Sequence, residues 1–197
     1  GWIFNESRYG KAYHVHVNDL MRSQWLSHEQ FLQLQQNELR SLLGTVVRDV
    51  PYYRDVFTKN KIEIDEFNIR DLKSIPFLEK DFLRTNTREL INQKRITNYG
   101  YEEGHTSGTS GIPLVWPYDL DSMHYNLAFR ERQYRWAGIT GREVSVRFSG
   151  RMILGGHNKS PYWRYNYPEK QWLFSSYHLS DEIFPLYYDA LKKINPV

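Results

Sequence analysis

The sequence predicts an α/β fold, a mainly helical layer over residues 1–95 followed by a partial α/β region over 96–197, and three observations carry this expectation. Apolar residues recur at helical spacing through much of the first ninety positions. Strand and helix patterns alternate over residues 119–194. Between two strand candidates stand six residues of only Thr, Ser and Gly, at 106–111. A chain of 197 residues is long enough to bury roughly 70% of its unfolded surface.

The elements follow from local chemistry. In residues 1–26 the alternation His14-Val15-His16-Val17 reads as a short extended piece. Ser27 and Gln30 form a capping box, in which each side chain satisfies a backbone N–H of the partner. Phe31, Gln35, Leu39, Leu42, Leu43, Val46 and Val47 then mark one helical stripe. Pro51 ends that helix and opens a shorter one through Arg54 and Phe57. After a linker at Asp65, Glu66 and Asn68, a helical stretch covers Glu79 to Leu83, and Thr87 caps a turn through Leu90. An extended run begins at Ile96-Thr97-Asn98-Tyr99 and reaches His105, and Ile112 to Trp116 is its counterpart. Asp119 caps a helix with an inner stripe of Leu120, Met123, Leu127, Tyr134 and Ala137, closed by Gly138. Strands are expected at Val144–Phe148 and Gln171–Ser175. A last helix, capped by Ser180, carries Ile183, Leu186, Tyr187, Ala190, Leu191 and Ile194 inward.

Composition excludes several classes. With no cysteine there is no disulfide framework, thiolate zinc site or cysteine nucleophile, which fits a reducing, cytoplasmic setting. The net charge of +3 and pI near 8.9 are mild for a nucleic-acid binder. Mean hydropathy is −0.68, and no apolar run approaches the ~18 residues of a membrane helix. No metal-ligand cluster is evident: His14 and His16 have no third ligand nearby.

The Thr/Ser/Gly segment carries the chemistry. Gly108 and Gly111 let the backbone approach a ligand. Successive N–H groups in such a turn form an anion nest, and the hydroxyls of Thr106, Ser107, Thr109 and Ser110 add donors. The Walker pattern is excluded, because Ile112 stands where its lysine would be. On composition alone a flexible Ser/Gly turn reads equally well.

The order of residues His105-Thr106-Ser107-Gly108-Thr109-Ser110-Gly111-Ile112-Pro113-Leu114 resembles the phosphate-binding loop of the adenylate-forming enzymes. Val50-Pro51-Tyr52-Tyr53-Arg54 and Leu72 to Asp81 are similar to segments preceding that loop in phenylacetate–CoA ligases. Phe148-Ser149-Gly150-Arg151 and Phe174 to Ser180 look more like the branch associated with capsular polysaccharide synthesis. The resemblance covers most of residues 28–197.

It implies a ligase that activates a small carboxylic acid with ATP and magnesium as acyl-AMP, then passes the acyl group to coenzyme A or another acceptor. Thr106, Ser107, Gly108, Thr109, Ser110 and Gly111 would grip the β- and γ-phosphates, without the lysine that many family loops carry at the position of Ile112. Arg147, Arg151 and His157 stand where related enzymes place part of the acyl pocket. Tyr162, Trp163, Tyr165 and Tyr167 would shape an aromatic pocket or pack a loop, and His178 follows a strand end with an open role. The adenine and ribose motifs, the hinge and the catalytic lysine of the family have no equivalent after Ser180, so the chain is expected to be an N-terminal fragment, inactive alone. Its sheet would keep an uncovered edge, a route to homo-oligomers. The rival reading is a non-catalytic or nucleic-acid-binding module. It rests on residues 130–170, where nine Lys or Arg face three acids with aromatics interleaved.

Overall fold

The computed structural model describes residues 7–106, 113–140, 143–150, 153 and 160–197, with the side chain of Tyr99 left aside. Helices and small sheets together make the mixed α/β fold that the sequence predicts. The chain forms two compact units, one of Asn18–Asn126 and one that joins the segment up to Val17 to Leu127–Val197.

Helix α1 (Lys11–Ser23) takes in the His14–Val17 stretch that the alternation predicts as extended. The wider spacing decides the matter: Tyr13, Val17 and Leu20, four and three residues apart, are all buried, and that is the period of a helix. Helix α2 (His28–Asp49) starts at the expected capping box, with Gln30 N donating to Ser27 Oγ at 3.2 Å and Ser27 N donating to Gln30 Oε1 at 2.9 Å. Its stripe is only partly inward, since Leu43 is buried but Phe31 and Leu42 are exposed. Helix α3 (Pro51–Asn60) opens on Pro51 and closes on Lys61 in the left-handed region. Arg54 reaches back to the end of α2, its guanidinium donating to Arg48 O at 2.6 Å.

The core of the 18–126 unit is Leu43, Phe57 and Phe67, with Val46, Val47 and Ile75 against it. Each such side chain contributes about 1.5–3 kcal/mol by leaving water. Gln36 ties the Phe67 corner to α2: its Nε2 donates to Phe67 O at 2.7 Å and its Oε1 accepts from Ile69 N at 3.2 Å. Beyond the 3-10 turn Ile69–Ser74, capped by Asn68, come helix α4 (Lys80–Thr85) and a second 3-10 turn, Thr87–Leu90. The segment 96–99, expected as extended, ends helix α5 (Gln93–Tyr99) instead, because Asn92 caps it through Arg95 N at 3.1 Å. Gly100, at φ +70°, ends that helix in a region that L side chains rarely adopt.

Strands β1 (Tyr101–His105) and β2 (Val115–Asp119) pair antiparallel, with Tyr101 opposite Asp119 and His105 opposite Val115. β2 thus begins at the last two residues of the expected strand. Helix α6 (Leu120–Trp136) follows, and Gly138 at φ +75° lies just past its end, as expected.

In the other unit, β3 (Ser145–Ser149), β4 (Trp163–Asn166) and β5 (Gln171–Ser175) form a sheet ordered β3-β5-β4. β3 runs parallel to β5 and β4 runs antiparallel to it, so β3 and β4 are the edges. Helix α7 (Phe184–Ile194) covers its core, made of Phe174, Tyr187 and Ala190. This helix starts later than expected. Pro185 occupies its first turn, and Ser180 contributes its carbonyl, which accepts from Phe184 N at 2.8 Å, not a side-chain cap. Leu186, expected inward, is exposed.

Candidate functional site

Strands β1 and β2 stand on either side of the Thr/Ser/Gly segment in the chain. Thr106 and Leu114 close it from both ends: Thr106 N donates to Leu114 O at 3.0 Å, and Leu114 N donates to Thr106 Oγ1 at 2.9 Å. Thr106 therefore extends the ladder by one residue with its backbone and its hydroxyl together. The other members of the expected phosphate grip, Ser107, Gly108, Thr109, Ser110 and Gly111, lie outside the described residues. Two cross-strand pairs beyond the Thr106–Leu114 closure, Gly104 faces Trp116 so closely that a Cβ there would stand 2.9 Å from the indole Cε2. Glycine at 104 is thus a packing requirement of the hairpin.

Beside the hairpin lies a cavity of about 600 Å³. Its wall is apolar, built by Leu78, Leu83, Leu90, Ile91, Ile96 and Trp116, and both loop-closing residues, Thr106 and Leu114, line it. Arg95 and Asp119 supply its charge. Arg95 Nε donates to Asp119 Oδ2, and its terminal nitrogen reaches Asp121 Oδ2 at 3.2 Å. Asp119 also caps α6, its Oδ1 accepting from Ser122 N at 2.7 Å. Burial alone would raise the Asp119 carboxyl, but the hydrogen bonds from Arg95 and Ser122 hold it below the usual carboxylate range. The bond to Asp119 in turn raises Arg95. On the same unit Asp49 accepts from Arg48 at 2.8 Å and from Lys94 at 2.6 Å, and these bonds bring its carboxyl down to about 2. The sequence names Asp119 as a helix cap. It does not reveal the Arg95 partnership or the cavity, which join segments far apart along the chain.

Of the expected acyl-pocket residues, Arg147 is the one among the described residues. Arg147 is exposed on β3, opposite Leu173, and Arg151 and His157 lie outside the described residues. At the carboxyl end of the parallel β3–β5 pair, where α/β sheets place ligands, His178 is held firmly. Its Nδ1 is hydrogen-bonded to the buried Ser175 Oγ at 2.8 Å, and its ring stacks on Tyr162 at 5.0 Å. Tyr187 Oη, buried beneath, donates to Ser175 O at 2.8 Å.

Of the aromatics at 162–167, Trp163 and Tyr165 pack against the sheet, whereas Tyr167 is largely exposed. Trp163 stacks on Phe174 at 5.2 Å, and Tyr165 lies 4.8 Å from Trp172. Several basic residues of 130–170 have hydrogen-bond partners within the chain. Arg130 donates to Tyr9 Oη at 3.0 Å, Arg135 to Glu131 at 2.8 Å, and Arg164 to the carbonyls of Pro161 and Trp163 at 2.8 Å.

Among the described residues no group of three or more His, Cys, Asp or Glu is placed to hold a metal ion, and no helix is long and apolar enough to cross a membrane. No family model matches the chain. Protein CapK of Staphylococcus aureus is 26% identical over 198 residues, an alignment that covers all of this chain and 42% of CapK. The chain thus spans less than half the length of that relative, and the similarity supports a CapK-like relationship along its whole length.

Proposed function

We propose that this chain supplies the phosphate-gripping part of an ATP-dependent, adenylate-forming ligase that serves capsular polysaccharide synthesis. The observation that carries this reading is the hairpin turn. The segment His105–Leu114, which resembles the phosphate loop of adenylate-forming enzymes, is closed by the paired Thr106–Leu114 bonds. The CapK-like relationship supports the capsular assignment.

In this reading the substrates are a carboxylic acid and MgATP, the metal arriving with the nucleotide. The acid's carboxylate oxygen bonds to the α-phosphorus as the bond to the bridging oxygen of pyrophosphate breaks, giving acyl-AMP and magnesium pyrophosphate. The backbone N–H groups and hydroxyls of Thr106 to Gly111 hold the β- and γ-phosphates, where charge accumulates as pyrophosphate leaves. Fixing the loop's two ends lowers the ordering cost of that grip. The thiol of an acceptor such as coenzyme A, or another acceptor's nucleophile, then bonds to the acyl carbon as its bond to the phosphate oxygen breaks, and AMP leaves. Arg147, Arg151 and His157 serve the acid in the same scheme, and the catalytic lysine lies in a further domain of the full-length protein.

Pyrophosphate release from the full-length protein, measured with a wide panel of carboxylic acids, tests the reading. Acid-dependent release is expected. A folded protein that releases none with any acid in the panel refutes it.

A further inference from the structure

The cavity beside the hairpin has no task in the scheme above. We propose that it binds a neutral, largely apolar small molecule, and that its occupancy is transmitted to the Thr106–Leu114 bonds that close the Thr/Ser/Gly segment. Four features support this.

At about 600 Å³ the cavity falls within the range of small-molecule sites, ~300–1,000 Å³. Its lining is mostly aliphatic and aromatic, with Leu83, Leu90, Ile96 and Trp116 from four separate elements. The charge present argues against an anionic ligand. Arg95, the cationic side chain of the lining, already donates to two carboxylates, Asp119 and Asp121, so an entering carboxylate would have to compete for it beside the Asp119 carboxylate. The site is therefore distinct in chemistry from one that receives an ionised acid. Finally, Thr106 and Leu114 both line the cavity and both close the loop. A ligand that packs on them stabilises the two hydrogen bonds between Thr106 and Leu114, and so slows exchange of their bonded N–H groups.

The test uses 1-adamantanol as probe and 1-adamantanecarboxylate as its charged counterpart, without nucleotide, so its result stands apart from the ligase reading. Neither compound absorbs with tryptophan, and Trp116 is a built-in reporter. The expected result is a saturable, one-to-one change in tryptophan fluorescence with the alcohol that is absent in Trp116→Phe. The carboxylate should bind at least tenfold more weakly. Leu90→Phe and Ile96→Phe, each of which adds bulk to the lining, should each weaken the alcohol several-fold while circular dichroism stays that of the unsubstituted protein. Amide hydrogen exchange of Thr106 and Leu114 should slow several-fold with the alcohol bound. Absence of saturable binding, binding undiminished in both folded filling variants, or equal binding of the carboxylate overturns the site. Binding that leaves exchange at Thr106 and Leu114 unchanged overturns its link to those bonds.

Discussion

Replacing Asp119 by alanine removes two interactions at once, and the two are separable. The carboxylate accepts from Ser122 N at 2.7 Å as the cap of α6, and loss of such a cap costs about 1 kcal/mol. It also accepts from Arg95 Nε. A net charge-assisted hydrogen bond is worth roughly 1.5–3 kcal/mol when well buried. Here the Arg95 side chain is 39% exposed although Asp119 is 8% exposed, so solvent screening reduces the figure to about 1 kcal/mol. Asp119→Ala should therefore lose about 2 kcal/mol, and Asp119→Asn, which keeps an acceptor for Ser122 but no charge, about half of that. With a urea dependence of ~2 kcal/mol per molar, the alanine variant should unfold about 1 M earlier in urea than the unsubstituted protein, and the asparagine variant about 0.5 M earlier. Far-ultraviolet circular dichroism in a urea titration reads both. The reasoning fails if Asn and Ala shift the midpoint equally, since the cap would then contribute nothing. It also fails if Asp119→Asn is silent, because the ion pair would then be inert.

Other expectations concern the same elements. Asp119 lies below the usual carboxylate range and Asp49 is held at about 2. Both carboxylates therefore stabilise the fold fully above the unfolded value of ~3.9 and lose that contribution as pH falls through their lower folded values. Urea midpoints should fall between about pH 5 and 2, and more gently in Asp119→Asn; a flat profile contradicts the assignment. Gly104→Ala brings a Cβ to 2.9 Å from the Trp116 ring and should cost about 1–3 kcal/mol. Most of that loss should disappear in the Trp116→Ala background, and an equal loss in both backgrounds shows that ring contact is not the cause. Tyr187→Phe removes the buried donor to Ser175 O and should lower stability by about 1–2 kcal/mol, measured by the same titration; a neutral effect would mean that this bond is not needed beneath β5.

What was legible in the sequence is mostly what is local. The Ser27–Gln30 box, the Pro51 start and the Asp119 cap each satisfy backbone groups within a few residues, and all three are present. The strands at 145–149 and 171–175 follow from short apolar and aromatic runs. The misreadings come from windows that were too short. Four residues at His14–Val17 alternate, but Tyr13, Val17 and Leu20 set a helical face. Ile96 and Thr97 favour strands by type, yet the cap at Asn92 draws them into α5. Ser180 looks like a cap, while Pro185 in the first turn sets the helix start at Phe184. The cavity and the Arg95–Asp119 pair depend on tertiary placement, and no residue spacing announces them. In contrast, the segment at 106–111 stands out because six Thr, Ser and Gly residues follow one another without interruption.

That loop is also where the account is most exposed to test. Calorimetric titration of the protein with MgATP and, separately, with AMP asks directly whether it grips the outer phosphates. The account predicts saturable heat with MgATP, at least tenfold weaker binding of AMP, and a marked loss of the difference in Thr106→Val, which lacks the hydroxyl that receives Leu114 N. No heat at millimolar MgATP, or equal affinity for ATP and AMP, contradicts it.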